Sequence, residues 1–282
     1  MDSPPAPDAV AQAKEHALAA WCRARTSVLV GYSGGVDSTY LAAVALETLG
    51  PDRTLAVIGR SASYPAVQWA RARAVAERIG VPVLEVDTDE LNDPQYAANP
   101  TDRCYFCKRE LWGRLQPVAA ARGFAVVVDG TNADDLRDHR PGAQAARERD
   151  VASPLAELGF TKADIRALSA ARGLPTWDQP SSPCLSSRLP YGTAVTPERL
   201  ARIERAEAAL RDLGIAGDLR VRDFGVRAQV EVGRELLAAW ETGAARARLD
   251  AAVRAAGFET VDLRAYRSGA LNVLAGVVPG GG

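Results

Sequence analysis

The chain has 282 residues, 47% hydrophobic and 24% charged, enough for one large domain or for a large and a small domain, each with a buried core. Lys and Arg total 34 against 35 for Asp and Glu, so the bulk charge weighs against a polyanion partner such as tRNA. Only two histidines, His16 and His139, leave a Ser-His-Asp triad or a His-rich metal centre short of parts, and four cysteines at this length make no disulfide framework. The start, Met1-Asp2-Ser3-Pro4-Pro5, lacks the basic and apolar stretches of a secretory signal, and no run of about 18 apolar residues is present. The expected setting is the cytoplasm, with no membrane partner.

Along the chain, residues 1–25 read as an Ala-rich helical extension after a Pro-rich start. Residues 27–31 form a short apolar run ending in glycine, as a buried parallel strand does. A helix is predicted over 36–49, stopped by Gly50-Pro51. The pattern repeats as strand 55–58, helix 66–79 closed by Gly80, strand 83–86, helix 104–122 and strand 125–128. Strand and helix in alternation imply a parallel sheet with right-handed crossovers.

After Val151 the rhythm changes. Residues 161–172 read as a helix capped by Thr161, with Asp164 three residues on. Residues 175–190 hold too much Pro and Ser for regular structure. Thr196-Pro197-Glu198 opens a helix running to about Leu213. Residues 220–222, 228–232 and 261–264 alternate like strands, with two helical stretches between the last two. The expected organisation is an α/β parallel-sheet domain over 1–180 and a smaller α+β domain over 181–282, with a mobile Gly-rich tail at 279–282.

The most informative feature is Ser33-Gly34-Gly35-Val36-Asp37-Ser38, set between a buried strand and a helix. Two glycines let backbone N–H groups approach an anion with no Cβ in the way. The helix that follows aims its unpaired amides and positive dipole end at the same point. Ser33 and Ser38 add hydroxyls. Asp37 is an odd neighbour for phosphate unless a cation lies between them, which assigns it to Mg²⁺. The segment is neither a Walker A loop nor a G-x-G-x-x-G fingerprint. It resembles the PP-loop of the ATP pyrophosphatases, a Rossmann-like fold of the adenine nucleotide alpha-hydrolase type. The resemblance implies cleavage of ATP between the α and β phosphates and an adenylylated substrate. Gly130-Thr131-Asn132 and Asp135 follow the fourth predicted strand, at the sheet end where α/β ligand sites lie.

Cys104-Tyr105-Phe106-Cys107 is a C-x-x-C that suits a redox pair, half a zinc site completed by His139 and Cys184, part of an iron–sulfur site, or ordinary buried thiols. Cys184 stands in a Pro-rich loop with Arg188 four residues on, a better setting for a nucleophile than that of Cys22 beside Trp21.

The PP-loop segment, Asp102-Arg103-Cys104-Tyr105-Phe106-Cys107-Lys108, Gly130-Thr131-Asn132-Ala133-Asp134-Asp135, Arg140-Pro141-Gly142 and Cys184-Leu185-Ser186-Ser187-Arg188-Leu189-Pro190-Tyr191-Gly192 occur in that order. Together with Arg220-Val221-Arg222 and Glu231-Val232 they resemble the LarE family, the pyridinium-3,5-biscarboxylic acid mononucleotide sulfurtransferases. The resemblance implies sulfur supply to the nickel-pincer nucleotide cofactor of lactate racemase, a small-molecule nucleotide substrate and a homo-oligomer. It also implies one of two sulfur sources. Either Cys184 is sacrificed to dehydroalanine, or Cys104, Cys107 and Cys184 hold a [4Fe–4S] cluster carrying a sulfide, reloaded by a sulfide donor. Having all three cysteines, this sequence matches the cluster type.

The expected roles follow. Ser33 to Ser38, Gly130, Thr131 and Asn132 bind ATP. Arg188, Arg220, Arg222 and Asp135 bind the substrate, whose phosphate and second carboxylate suit guanidinium forks. Glu231 serves proton transfer or sulfur release. Arg220, Arg222 and Glu231 also fit the solvated face of a strand. The rivals are a tRNA thiolase, an ammonia-using amidating ligase, which has no use for these cysteines, and a non-catalytic nucleotide or metal-binding module.

Overall fold

In a computed structural model, which describes residues 6–137, 141–180, 182–267, 269–274 and 276, the described strands form two sheets. The chain divides into two compact units: Met1–Glu90 with Cys104–Ser182, and Leu91–Arg103 with Pro183–Gly282. The segment Leu91–Arg103 thus folds with the C-terminal unit, whereas the sequence reading kept it within residues 1–180.

In the first unit, strands β1 (Val28–Gly31), β2 (Thr54–Arg60), β3 (Val83–Asp87) and β4 (Val126–Val128) form a parallel sheet in the order β3-β2-β1-β4. β1 and β2 are covered on both faces, which is why they read as continuous apolar runs. Side chains alternate, so Val28 and Val30 enter one core while Leu29 enters the other. The first core is closed by α1 (Ala9–Arg25) and α2 (Val36–Leu49), which contribute Leu18, Tyr40, Leu41, Val44 and Leu49. α3 (Ala66–Ile79) adds Ala72 and Ala76. The second core is closed by α4 (Arg103–Arg122) through Trp112, Leu115 and Ala119. α4 continues through Pro117. α5 (Lys162–Ala171) begins with the expected capping box, Thr161 Oγ1 accepting from the Asp164 amide and Asp164 accepting from the Thr161 amide.

In the second unit, β5 (Leu219–Phe224) runs antiparallel to β6 (Arg227–Val232), which runs parallel to β7 (Thr260–Ala265). α6 (Pro197–Asp212) starts at the expected cap, Thr196 with Pro197 at N1. It packs a buried stripe of Leu200, Ile203, Ala206 and Leu210 against β5. α7 (Gly243–Ala255) adds Leu249 and Val253. The tail at 279–282, expected to be mobile, lies outside the described residues.

Candidate active site

β1 delivers the chain into the glycine turn at the carboxyl end of the sheet. Gly34 has φ +66°, a left-handed conformation that glycine adopts without strain. A Cβ there would also stand 2.5 Å from the Cβ of Ala72 on α3, so only glycine lets the turn lie against that helix. Gly35 is the N-cap of α2 and supplies no capping side chain. The two serines close the loop on itself: Ser33 N–H donates to Ser38 Oγ at 3.2 Å, and the two hydroxyls lie 3.1 Å apart. Tyr64 donates to the Ser33 carbonyl at 2.9 Å and braces the turn from outside. Val36 and Ser38 are buried. The result is a preformed concave turn at a helix start, suited to phosphate.

Asp37, in the first turn of α2, is ion-paired with Lys162, the first residue of α5. Asn132 Nδ2 lies 3.5 Å from the other Asp37 oxygen. Burial pushes the Asp37 carboxyl above its ordinary range, Lys162 pulls it back, and nearby Asp135 pushes it up again. The turn after β4 is packed against this start of α2, since a Cβ on Gly130 would meet Ser38 N at 3.0 Å and Asp37 Cβ at 3.2 Å. Within that turn, Asp129 accepts from the Thr131 amide and hydroxyl and from Ser153 Oγ at 2.8–3.0 Å. The Asn132 carboxamide oxygen accepts from the amides of Asp134 and Asp135. Asp135 in turn accepts from the Asn132 amide at 3.1 Å. Fully buried Asn132 thus reaches the start of α2 through Asp37, whereas Thr131 bonds Asp129 within its own turn.

In the second unit, Cys184 is half-buried and sits at the N-cap of a 3₁₀ turn, Leu185–Arg188. Arg188 is only 2% exposed. Its guanidinium grips Glu207 at 2.9 and 3.1 Å and donates to the carbonyls of Pro183 at 2.7 Å and Cys184 at 3.1 Å. Arg188, expected to bind substrate, also holds the cysteine loop, through the Pro183 and Cys184 carbonyls and Ser187 Oγ. From the other side, Tyr96 and Arg103 of the segment Leu91–Arg103 bond Ser186, its hydroxyl at 2.6 Å and its carbonyl at 3.0 Å respectively.

Arg220, Arg222 and Glu231 are 6%, 6% and 2% exposed, which rules out the solvated-face alternative. Arg222 donates to Glu231 at 2.9 and 3.2 Å and to the Ser187 carbonyl at 2.9 Å. The second Glu231 oxygen accepts from Gln229 at 3.0 Å. Arg220 lies over the ring of Tyr266, 5.3 Å from its centroid. Burial, joined by the charge of Arg188, depresses the pKa of Arg220. An anion would offset that cost.

Cys104 and Cys107 lie one turn apart on α4, Cys104 exposed and Cys107 half-buried; none of the four cysteines is in a disulfide. Their thiol chemistry suits iron or zinc. Among the described residues, however, no three His, Cys, Asp or Glu side chains gather into a group that could hold a metal ion. His139 and Arg140 lie outside the described residues. No described helix is long and apolar enough to cross a membrane.

A family model for NAD synthase matches residues 19–108, spanning the phosphate loop. The pyridinium-3,5-bisthiocarboxylic acid mononucleotide synthase of Lactiplantibacillus plantarum is 34% identical over 261 residues, covering 92% of this chain and 94% of that protein. The chain belongs to the LarE family. An uncharacterised Synechocystis protein is 46% identical over 246 residues, covering 86% and 91% of the two chains. An uncharacterised Methanocaldococcus jannaschii protein is 30% identical over 213 residues, covering 74% and 79%.

Two side chains that pair with predicted residues, one in each unit, escaped the sequence reading. Lys162 is 125 residues from Asp37, and its only local signal is its place after a helix cap. Glu207 reads as one more acid on an amphipathic helix, yet it accepts from Arg188 and from the Val221 amide.

Proposed function

We propose that this LarE-family chain is an ATP-dependent sulfur transferase. It adenylylates a carboxylate of pyridinium-3,5-biscarboxylic acid mononucleotide and converts it to a thiocarboxylate for nickel-pincer cofactor synthesis. The observation that carries the reading is the phosphate loop of Ser33, Gly34, Gly35 and Ser38 with Asp37 at its helix start. Family membership supports the substrate. In this reading the first unit handles ATP and the second handles substrate and sulfur.

A carboxylate is a poor electrophile. Its oxygen attacks the α phosphorus, the bond to the bridging oxygen breaks, and pyrophosphate leaves with the electron pair. Loop amides and the two serine hydroxyls receive the charge that builds on the departing group. Asp37 is the residue that would hold Mg²⁺, which supplies Lewis-acid neutralisation of the phosphates when bound. The acyl-adenylate then carries a good leaving group. Cys184 Sγ attacks its carbonyl carbon and displaces AMP, giving a thioester. Loss of the Cys184 Cα proton with cleavage of its Cβ–Sγ bond leaves dehydroalanine and the thiocarboxylate. Arg220 and Arg222 take the substrate phosphate, and Glu231 orients Arg222.

Membership of the LarE family carries a second reading, supported in this chain by Cys104 and Cys107 lying one turn apart on α4, although the described side chains do not gather into a metal group. These thiols together with Cys184 would hold a [4Fe–4S] cluster, which would supply a bound sulfide. The test is anaerobic incubation of protein, before and after iron–sulfur reconstitution, with Mg-ATP and the biscarboxylate mononucleotide, followed by mass spectrometry. Thiocarboxylated product with Cys184 reduced in mass to dehydroalanine supports sacrifice. Product with Cys184 intact, seen only after reconstitution, supports the cluster. No sulfur in the nucleotide under either condition overturns the sulfur-transfer reading.

A further inference from the structure

Among the described residues, three non-glycine residues have a positive φ: Thr26, Asn99 and Asp150. Thr26 and Asp150 are exposed, whereas Asn99, at φ +56°, is fully buried. Asn99 follows the single helical turn Pro94–Ala97 and its cap Ala98, and its amide donates to the Tyr96 carbonyl at 2.9 Å. Glycine is the usual residue at such a helix stop, because it takes a left-handed φ without strain. Asparagine tolerates that φ better than most residues and brings a carboxamide. Here the carboxamide is engaged at both ends. Nδ2 donates to the Pro190 carbonyl at 2.7 Å and reaches the Leu189 carbonyl at 3.5 Å. Oδ1 accepts from Arg103 Nη1, and the same nitrogen donates to the Ser186 carbonyl at 3.0 Å. The backbone adds two bonds of 2.8 Å, from the Gly192 amide to the Asn99 carbonyl and from the Val195 amide to the Ala97 carbonyl. One side chain on a strained backbone thus joins the middle and the exit of the loop that carries Cys184. A helix stop alone needs none of the carboxamide bonds.

We propose that Asn99 is a positioning residue for sulfur transfer: its carboxamide fixes the run from Ser186 to Pro190 and so sets where Cys184, two residues upstream, presents its thiol. This role rests on the sulfur-transfer reading above, in which Cys184 acts either as the donor or as a cluster ligand. Asn99 works through the loop backbone and exchanges no proton. Without its Nδ2, the Leu189 and Pro190 carbonyls lose a buried donor and the loop loosens around Cys184. Adenylylation, which uses the phosphate loop of the first unit, does not depend on the carboxamide.

The test compares wild type, N99G and N99D. N99G keeps the helix stop and removes the carboxamide. N99D keeps the size and the acceptor for Arg103 but loses the donor to the two carbonyls. Cys184 alkylation by iodoacetamide is followed by peptide mass mapping, with exposed Cys104 as the internal standard. Pyrophosphate release and thiocarboxylate formation are followed with Mg-ATP and saturating carboxylate substrate. Both variants are expected to melt as folded proteins and to alkylate Cys184 at least about threefold faster than wild type. Pyrophosphate release should stay within about threefold of wild type, while thiocarboxylate forms about 100-fold more slowly. If N99G does not fold, N99D decides alone. A merely structural residue would lower both products together or neither, and either result overturns the assignment. Unchanged Cys184 alkylation in a folded variant overturns it as well. Wild type that releases pyrophosphate but makes no thiocarboxylate sinks the sulfur-transfer reading. Alkylation then still decides whether Asn99 sets the Cys184 thiol: faster in the variants upholds that role, and equal rates remove it.

Discussion

Arg188 and Glu207 meet fork to fork, with Nε 2.9 Å from one carboxylate oxygen and Nη2 3.1 Å from the other. The remaining guanidinium nitrogen holds the successive carbonyls of Pro183 and Cys184. A buried fork of this kind fixes where the Cys184 backbone lies before any substrate arrives. Removing one partner leaves the other charge buried. Arg188→Ala is expected to cost about 3–5 kcal/mol of stability, measured by denaturant unfolding. Arg188→Lys, which cannot make the bidentate contact, should also lower sulfur transfer. A change below about 1 kcal/mol for Arg188→Ala would contradict the clamp.

The Arg222–Glu231 pair gives a prediction of a different form. Arg222→Met leaves Glu231 buried opposite an apolar side chain and should cost about 3–5 kcal/mol. The double variant Arg222→Met with Glu231→Leu should cost less than the single one. The double-mutant cycle would then show a coupling well above the spread expected for independent sites. Additive losses would contradict a shared ion pair.

Gly34 is required for two separate reasons, its φ of +66° and its contact with Ala72. Gly34→Ala should cost about 1–3 kcal/mol in backbone strain alone and abolish ATP binding. Gly35→Ala meets only Ser33 Oγ, at 3.4 Å, and should be tolerated far better for folding. Calorimetric titration with ATP checks both, and equal affinity for the two variants would contradict the turn geometry described above.

The thiols should separate by reactivity. Burial pushes Cys22 up to about 11, whereas Cys104 is exposed on α4. At pH 8 about one Cys22 in a thousand is thiolate. Alkylation followed by peptide mass mapping should label Cys104 first and Cys22 only on unfolding. The linkage has a definite sign. With its folded pKa raised above the unfolded value near 9.0, Cys22 costs no stability below that value. The loss begins as pH rises through 9 and grows toward 11.

Much of the first unit was legible because its elements are punctuated locally. The ends of α2 and α3 are marked by Gly50 and Gly80, and the cap of α5 by Thr161 and Asp164. The buried runs of β1 and β2 declare a parallel sheet by composition alone. The phosphate turn was legible for the same reason, since glycine and helix start are neighbours in sequence. Long-range chemistry was not. The Lys162–Asp37 pair and the Arg188–Glu207 fork each join residues with no periodic relation to one another. Arg220 and Arg222 read equally well as solvated or buried, because alternation assigns a shared face without saying what covers it. The segment Leu91–Arg103 carries no composition shift to show that it joins the second unit. Its attachments, Tyr96 to Ser186 and Asn99 to the Pro190 carbonyl, lie some 90 residues away.

The central claim is that a substrate carboxylate is adenylylated at the Ser33–Ser38 loop. The most direct measurement uses substrate labelled with ¹⁸O in both carboxylates and follows the label by mass spectrometry after one turnover with Mg-ATP. The account predicts ¹⁸O in the phosphate of AMP, equal amounts of AMP and unlabelled pyrophosphate, and loss of both products in Gly34→Ala. Unlabelled AMP, or ADP and inorganic phosphate in place of AMP and pyrophosphate, would contradict it.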